Sequence, residues 1–486
     1  MRTRCFSILA FAFSTTIPCA FAQTIDAFNP LPSAPPKALA IQPDGKILIG
    51  SSFQNVAGVV RQGVARLNAD GSVDMSFGNP GAANGEVVAI AVQNDGKLLV
   101  GGDFDRIGGV ARHSLARLNE DGTLDASFAD PNLDSEVWSI AVQPDGKVLV
   151  AGDFTNAAGS PPRDYLARFN GDGSFDSSFA DPQLCCLPAR SVALQADGRV
   201  LVGGYFSQAD GASHDSLARY SSSGVLDAAF PATPANSAVT ALLVGPDGSI
   251  YANGGYSTSD GLNLRLVAKL SSAGALVSTF DNLHHDGSPN TFVLQPNGKL
   301  LIGGNFEQVD GQPRHALARL NADGTLDTTF ADLSFSLDAT DPNGSIFGLA
   351  VQADGDVLAV GNFSLADGQS RQYMARAVTA DLATSRFTAQ PSGSSVVVTW
   401  TRSGGGPELA QPPTLMHSTD GVNFSAVGPM THIATGWQVT APYNVHGALF
   451  YLQAIGTVSG GAQTGSRGQV ASDVYFSDTI FADGFE

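Results

Sequence analysis

Charged residues are scarce in this chain, and positive ones are the scarcest. Only 15% of the 486 residues are charged, and 45 acids face 26 lysines and arginines, for a formal net charge of −19. So acidic a surface repels phosphate backbones, and we therefore expect no nucleic-acid partner. Beyond the N-terminus no apolar run approaches the roughly 18 residues that a spanning helix needs. We therefore also expect no transmembrane segment.

The first residues have the pattern of a secretory signal peptide over positions 1–22. The basic stretch MRTR precedes the apolar CFSILAFAF, and AFA at 20–22 is an A-x-A cleavage site. We expect cleavage between Ala22 and Gln23 and a secreted location, periplasmic or extracellular. A lipoprotein anchored at Cys19 is the weaker alternative, because proline precedes that cysteine where a small residue is needed. Removal of the two arginines in this stretch takes the formal charge from −19 to −21.

Cysteine is almost absent from the remaining chain, which keeps only the adjacent pair Cys185 and Cys186. No separate partner exists for either residue, so the disulfide framework of small secreted domains is excluded. The pair can form a vicinal disulfide, one member can bond to another chain, or both can stay as thiols in a loop. The sequence leaves these alternatives open.

Glycine, in contrast, is abundant at 55 residues, and much of it falls in two turn motifs that alternate along the chain. The first motif is QPDGK and its variants, with the acid or amide at Asp44, Asp95, Asp145, Asp197, Asp247, Asn297 and Asp354. The second is the NADGT family, preceded by Arg66, Arg117, Arg168, Arg219, Lys269, Arg319 and Arg376. Seven units of about fifty residues indicate a repeat architecture.

The residues around these turns predict short β-strands. Proline presets the turn, Asp or Asn caps it, and glycine takes the left-handed position that closes a hairpin. Apolar runs such as VVAIAVQ at 87–93 read as strands buried on both faces. Four short strands per unit are typical of a propeller blade. We predict an all-β fold, a seven-bladed β-propeller over 24–380 followed by a small β-sandwich.

In the second motif, an arginine and an aspartate stand at equal distances from the turn. Arg117 and Asp125 each lie four residues from Asp121, so they should face each other across a hairpin. Such a pair stabilises a hairpin by roughly 0.2–1 kcal/mol, and more is at stake if it is buried. The same spacing gives Arg66–Asp74, Arg168–Asp176, Arg219–Asp227 and Arg319–Asp327. Unit five has Lys269 and Val277 at these positions, so both partners of the pair change together. We interpret the pairs as structural, not catalytic.

The last unit has Arg376 but lacks the NADGT turn and the strand that should follow it. An orphan strand of that type, TIDAFNP at 24–30, stands at the start of the mature chain. We predict that it completes the last blade and removes an open edge, with Asp26 opposite Arg376.

Units such as VQPDGKVLVAGDF followed by LARFNGDGSFDSSF resemble the delta-60 repeat, a family of bacterial β-propeller repeats without an assigned activity. The resemblance covers about three-quarters of the chain, with both turn motifs in register. Unit five and unit seven depart from it most. The resemblance implies a propeller fold and supplies no catalytic residues.

After the repeats, residues 387–475 have short strand patterns that are loosely similar to fibronectin type III or immunoglobulin-like sandwiches, with Trp400 as core anchor. The acidic-aromatic stretch 476–486 is too short for a domain and reads as a tail. No phosphate loop, zinc-protease motif or nucleophile elbow occurs.

Metal and aromatic residues give no firm site. Asp281, His284, His285 and Asp286 form the densest cluster, which we interpret as an exposed polar loop with a transition-metal site as the alternative. Calcium at DATDPNGS, 338–345, is a second alternative, and otherwise no cofactor is expected. The remaining candidates, Tyr205, Tyr256 and Trp138, read as packing residues.

These features favour an exported, non-enzymatic binding or scaffold protein, whose ligand outside the cytoplasm is an unidentified polymer or protein. One alternative is a secreted carbohydrate hydrolase or lyase, with carboxylates from several blades converging in the funnel. Another is a structural envelope component. The sequence sets no oligomeric state.

Overall fold

A computed structural model describes residues 23–78, 83–157, 163–231, 237–257, 264–277, 286–379, 381, 383–392, 395–409, 411–418, 423–442, 450–457 and 469–476. Within these ranges the regular elements are strands and no helix occurs, which confirms the predicted all-β class. Accordingly, no helix of this part of the chain is long and apolar enough to cross a membrane. The signal-peptide prediction falls on residues 1–22, outside the described ranges.

Seven antiparallel sheets, one per sequence unit, account for the repeats in the described ranges. We call them repeat sheets 1 to 7 in chain order. Their strands are Ala38–Ile41, Ile47–Gly50 and Val64–Leu67; Glu86–Val92, Leu98–Asp103 and Leu115–Leu118; Val137–Val142, Val148–Gly152 and Leu166–Phe169; Ala189–Leu194, Val200–Gly204 and Leu217–Tyr220; Leu242–Val244, Ile250–Ser257 and Leu264–Leu270; Ser288–Leu294, Leu300–Asn305 and Leu317–Leu320; Ser345–Val351, Val357–Asn362 and Met374–Val378.

The QPDGK motif makes the turn between the first and second strands of each sheet. In repeat sheet 1 the Asp44 carboxylate accepts the backbone N–H of Lys46 at 3.1 Å, and Gly45 has φ +83°. Only glycine adopts that conformation without steric cost, which explains its recurrence in this motif. The turn therefore fixes the register of each inner hairpin.

The fourth strand that we expected in each unit is reduced to a single bridge in units one to six. In repeat sheet 2, Leu124 pairs with Leu118 at the outer edge, but no ladder follows. Between the second and third strands lies a short hairpin instead. Described hairpins of this type are Asn55–Val56 with Val59–Val60, Arg106–Ile107 with Val110–Ala111, Gln208–Ala209 with Ala212–Ser213, Gln308–Val309 with Gln312–Pro313, and Leu365–Ala366 with Gln369–Ser370.

The first strands of the repeat sheets pack side by side into a closed ring. Each contacts the first strand of the next sheet, and Ser345–Val351 of sheet 7 contacts Ala38–Ile41 of sheet 1. Buried aliphatic side chains fill the space between neighbouring sheets. A Cβ on Gly101 would come within 2.7 Å of Val137 in the next sheet, so glycine there permits the close approach.

The start of the described chain joins the last repeat sheet. Thr24–Ile25 pairs antiparallel with Val378 and Ala377 and becomes the fourth strand of repeat sheet 7. This strand is shorter than the 24–30 stretch that the sequence suggested. Ile25 and Phe28 are both buried, so the segment contributes apolar packing as well as backbone hydrogen bonds.

Two further four-stranded sheets follow the repeats. Trp400 and Trp437 are buried in the cluster between them. Their strands are Thr384–Ser392, Ser395–Ser403, Gly436–Pro442 and Thr431–Ile433 in one sheet, and Ser425–Pro429, Thr414–Ser418, Phe450–Thr457 and Gln469–Phe476 in the other.

The connection from Ser395–Ser403 to Thr414–Ser418 runs across one end of the ring; we call its described residues, 404–409 and 411–413, the axial connection. The Gln295 side-chain amide donates to the Gly405 carbonyl of this connection at 2.6 Å. The Gln411 side-chain amide of the connection donates to the Leu194 carbonyl at 2.8 Å. The axial connection therefore contacts repeat sheets 4 and 6 at this end of the ring. The first strands of the repeat sheets begin at the opposite end of the ring.

Candidate functional site

The predicted arginine–aspartate pairs lie opposite each other in buried positions. Arg66 Nε is 2.7 Å from Asp74 Oδ2, and the two side chains are 6% and 8% exposed. Burial opposes ionisation of Asp74, but hydrogen bonds from Ser76, Lys46 and Arg66 outweigh it and lower the pKa of its carboxyl well below the usual range. Equivalent contacts join Arg117 to Asp125, Arg168 to Asp176, Arg219 to Asp227 and Arg319 to Asp327.

These arginines also tie each repeat sheet to the next. Arg66 Nη1 donates to the Glu120 carbonyl, in the turn of repeat sheet 2, at 2.6 Å. Arg117 and Arg168 reach Gly171 and Ser222 in the same way, and Arg219 reaches Ser272 at 2.5 Å. Each guanidinium is also stacked over a phenylalanine of its own unit. The arrangement joins each of these repeat sheets to the next one.

The last unit substitutes other residues for its missing turn. Asp26 Oδ2 lies 2.7 Å from Arg376 Nε, and Arg376 Nη1 donates to the Ala69 carbonyl of repeat sheet 1 at 2.7 Å. Arg319 of repeat sheet 6 finds no NADGT turn ahead of it and pairs with the Asp381 carboxylate instead. Arginine contacts between neighbouring sheets therefore continue through sheets 6, 7 and 1.

Unit five is arranged differently. The Lys269 ammonium lies 5.2 Å from the centre of the Tyr251 ring, and the Val277 N–H donates to the Lys269 carbonyl at 2.8 Å. The position thus keeps the hairpin backbone without a carboxylate. A cation–π contact provides part of the attraction that the ion pair provides elsewhere.

The cysteine pair and the metal alternatives can also be placed. Cys185 and Cys186 are joined in a vicinal disulfide. Asp286 Oδ1 accepts the backbone N–H groups of Glu307 and Gln308 at 2.8 and 3.2 Å, which is a local capping role. Its proposed companions Asp281, His284 and His285 lie outside the described ranges.

The calcium alternative rests on residues that form local turns. Asp338 Oδ1 accepts the backbone N–H of Thr340 at 2.7 Å and of Asp341 at 2.9 Å, and Asp341 caps Asn343 in turn. Across the residues with described coordinates, no group of three or more His, Cys, Asp or Glu is arranged to hold a metal ion.

A recurring irregularity lies at the end of the ring opposite the axial connection. In five repeat sheets the first strand carries a β-bulge one or two residues after its start, opposite the end of the second strand. Bulges re-aim side chains and are common beside active sites. The extra residues are Val88, Trp138, Arg190, Asn290 and Phe347.

Two of these bulge residues stack on one another between repeat sheets 3 and 4. The Arg190 guanidinium carbon lies 3.9 Å from the centre of the Trp138 ring and 5.4 Å from that of Tyr205. Trp138 Nε1 donates to Asp153 Oδ1 at 2.9 Å, and Arg190 Nη2 lies 3.7 Å from the same oxygen. Tyr205 is 46% exposed, so the stack opens to solvent.

Asp153 contacts this stack, and the charges of Asp103, Asp153 and Glu86 act on the neighbouring Glu136 carboxyl. Glu86 pairs in register with Asp103, and the Asp153 N–H donates to the Glu136 carbonyl at 2.9 Å. Lys37 of repeat sheet 1 forms an ion pair with Glu86 at 2.7 Å. We call the group the mouth site; its residues are Lys37, Glu86, Asp103, Glu136, Trp138, Asp153, Arg190 and Tyr205.

Glu136 has the most unusual electrostatic environment in this group. Burial, followed by the negative charges of Asp103, Asp153 and Glu86, raises the pKa of its carboxyl to about 7, and Lys37 offsets only part of this. A carboxyl that titrates near neutrality can donate or accept a proton, and groups perturbed in this way concentrate at functional sites.

Sequence reasoning did not find the mouth site. The sequence indicates packing roles for Trp138 and Tyr205. In the structure both pack against Arg190, and Tyr205 is partly open to solvent; the Tyr256 side chain lies outside the described part. One signal was available, because the residue after the paired small residues varies between units. It is Asp103, Asp153, Tyr205, Asn305 and Asn362 in repeat sheets 2, 3, 4, 6 and 7.

Five segments of the chain match a family described as a domain of unknown function (DUF5122) beta-propeller, namely residues 42–77, 93–128, 143–179, 195–230 and 295–330. These are units one to four and six, and repeats of this family are therefore present in the chain. The match confirms the predicted β-propeller fold. The description does not use the delta-60 name, which stays a resemblance.

No curated protein matches the chain. Similar solved structures include AztD from Citrobacter koseri, 11% identical, with 84% of this chain and 98% of that chain covered and a TM-score of 0.28. A putative glycoside hydrolase from Bacteroides ovatus is 13% identical over 60% and 85%, with a TM-score of 0.23. The polysaccharide lyase Uly1 is 11% identical over 79% and 88%, at 0.21. At such TM-scores these likenesses carry no argument about this chain.

Proposed function

We propose that the protein is an exported, non-enzymatic binding protein that holds a saccharide at the mouth site. The observation that carries this proposal is the convergence of Glu136, Trp138, Arg190 and Tyr205 from neighbouring repeat sheets at the end of the ring opposite the axial connection. A rigid scaffold that presents a few polar groups around an aromatic surface is typical of ligand sites.

The chemistry of the mouth site suits a polyhydroxylated ligand. Trp138 and Tyr205 supply apolar ring surface, and the Arg190 guanidinium supplies several donors in fixed geometry. Asp153 and Glu136 supply acceptors, and Glu136 is also a donor near neutral pH. Alternating donors and acceptors beside an aromatic face match the hydroxyl groups and the C–H face of a sugar ring.

Export and domain organisation belong to the same proposal. The signal pattern at 1–22 supports cleavage after Ala22 and action outside the cytoplasm, and the net charge supports solubility there. Residues 24–380 would form the seven-bladed propeller, and residues 387–475 a sandwich that serves as accessory module, with 476–486 as a tail. The closed contact between sheets 7 and 1 supports the blade count.

The proposal is tested by co-sedimentation of the mature chain, residues 23–486, with fractionated envelope and extracellular polysaccharides. We expect saturable binding to one fraction, and at least a ten-fold weaker interaction for Trp138→Ala and Arg190→Ala, because each removes one half of the stack. Parallel runs with calcium and with EDTA test the calcium alternative.

Asp145→Asn is the matched control, because Asp145 caps the turn at the far end of the Glu136–Asp153 hairpin. It should bind like the parent protein. Absence of binding to every fraction would refute a saccharide ligand and favour a protein partner or self-assembly. Equal losses for Asp145→Asn and Trp138→Ala would show that the mouth site is not where binding occurs.

One observation favours a second candidate, a carbohydrate hydrolase or lyase. Glu136 titrates near pH 7 beside three other carboxylates, which is the environment of a general acid. Release of reducing ends from the bound polysaccharide, lost in Glu136→Gln while binding persists, would establish this activity. Binding without any product over a long incubation would refute the enzymatic candidate, and the binding protein would be the proposal that stands.

A further inference from the structure

We infer that the Cys185–Cys186 disulfide controls the mouth site, so that reduction of this bond loosens Arg190 and Tyr205 and weakens ligand binding. The inference rests on the proposed function for its last step only. Its structural step concerns the loop of residues 181–188, which we call the disulfide loop and which leads directly into the first strand of repeat sheet 4.

The disulfide loop is anchored along its first half. The Pro182 carbonyl accepts a hydrogen bond from the Tyr220 hydroxyl at 3.2 Å, and Leu184 is buried in the core cluster of sheets 3 and 4. The Cys185 N–H donates to the Gln208 carbonyl at 3.0 Å, beside the short hairpin that follows strand two. This half is held by packing whatever the state of the sulfurs.

The second half has fewer contacts and depends on the disulfide. Cys186 and Leu187 are exposed, and Cys186 is held in the left-handed region at φ +82°, a conformation that a non-glycine residue avoids. The bond closes a small covalent ring around the Cys185–Cys186 peptide and restricts that backbone. Opening the ring removes this restriction at Cys186 and Leu187, whose side chains are exposed.

The exposed half leads directly to two residues of the mouth site, Arg190 and Tyr205. The Pro188 carbonyl accepts the Tyr205 N–H at 2.9 Å, and Arg190 follows two residues later. The stack of Arg190 on Trp138 and Tyr205 therefore depends on where Pro188 lies. When the disulfide is closed, Pro188 is positioned from both sides, by the strand after it and by the covalent ring before it.

The redox step is a thiol–disulfide exchange with a dithiol. Two thiolates of the dithiol attack in succession, the Cys185–Cys186 S–S bond breaks, and the dithiol closes into its own disulfide. Its two protons and two electrons end on the cysteines as two S–H groups. An export compartment favours the closed form, so reduction is the signal.

The first test needs no ligand. Dithiothreitol is added to the mature chain until two thiols per chain are counted, and hydrogen exchange is followed at the Tyr205 amide. We expect exchange there to accelerate at least ten-fold while the Val202 amide, in the middle of the same strand pairing, is unchanged. The Cys185→Ser, Cys186→Ser double variant should exchange quickly with or without dithiothreitol.

The second test measures polysaccharide co-sedimentation of oxidised and reduced protein. We expect about five-fold weaker binding after reduction, and none of this dependence in the double-serine variant. Unchanged Tyr205 exchange in fully reduced protein overturns the inference, as does faster exchange with unchanged affinity. If the oxidised protein binds no polysaccharide, the proposed ligand fails, and the exchange result alone decides whether the disulfide holds the site.

Discussion

The buried ion pair of repeat sheet 3, Arg168 with Asp176, provides a test of the electrostatic reasoning through the substitution Asp176→Val. The Asp176 carboxylate accepts hydrogen bonds from Arg168 and from Lys147, each at 2.7 Å, and from the Ser178 hydroxyl at 2.6 Å. Valine leaves two cations facing each other without the anion between them. Unit five carries this residue naturally at Val277, but with serine in place of the Lys147 equivalent and Lys269 in place of the arginine.

The magnitude follows from burial. Arg168 and Asp176 are 7% and 6% exposed, and loss of one partner of a buried pair costs ~3–5 kcal/mol. Lys147 is 28% exposed and can turn to water, which relieves part of the repulsion. We therefore expect Asp176→Val to lower the free energy of unfolding by ~2–4 kcal/mol. The triple change Lys147→Ser, Arg168→Lys, Asp176→Val imports the unit-five set and should restore at least ~1 kcal/mol of this.

Urea unfolding followed by far-ultraviolet circular dichroism gives the ranking of midpoints. Asp172→Asn, at an exposed turn acid of the same hairpin, serves as control and should leave the urea midpoint close to that of the parent protein. The reasoning is refuted if Asp176→Val costs no more than this control. It is equally refuted if the triple variant is less stable than the single one, because the uncompensated charge would then not be the cause.

Three further predictions concern other parts of the molecule. Glu136→Gln should stabilise the protein at pH 8 by ~1 kcal/mol and should not stabilise it at pH 4.5. The pKa of Glu136 in the folded protein is raised to about 7, so the parent protein loses stability as pH rises from about 4.5 to 7. The full effect of this shift is roughly 3 kcal/mol, and the partial exposure of Glu136 reduces it. Thermal unfolding at the two values checks this, and equal shifts would contradict it. Asp26→Asn should cost ~1–2 kcal/mol and accelerate amide exchange of Ile25, while leaving exchange in repeat sheet 3 unaltered. Gly152→Ala should cost ~2–3 kcal/mol and abolish polysaccharide binding, since a Cβ there would lie 2.1 Å from the Glu136 carbonyl; Gly171→Ala, with its nearest neighbour at 3.4 Å, should do neither.

Much of the architecture follows from the sequence because each repeat contains the same turn motifs and therefore the same hairpin geometry. Equal distances from a glycine turn imply that Arg117 and Asp125 face each other, and the structure has them in contact. The position of the orphan strand near Arg376 follows from a missing piece at one end of the chain and a spare one at the other. Such inferences need only hairpin geometry.

The mouth site could not be inferred in this way. Glu136, Trp138 and Arg190 come from two sheets whose relative placement depends on the closing of the whole ring. The bulges that turn Trp138 and Arg190 toward each other have no signature in the apolar strand pattern. Asp381 escaped notice for a related reason, since it lies beyond the last repeat and replaces a turn that the chain does not have.

The union of Asp26 with Arg376 has a kinetic consequence. These residues are 350 positions apart, so their contact carries one of the largest loop-closure entropies in the chain. We expect a contact between residues so far apart in sequence to form late in folding, after the local hairpins exist. Interactions that are absent from the folding transition state chiefly slow unfolding. The two-residue strand Thr24–Ile25 therefore mainly slows unfolding of the native ring, and it has much less effect on how fast that ring assembles.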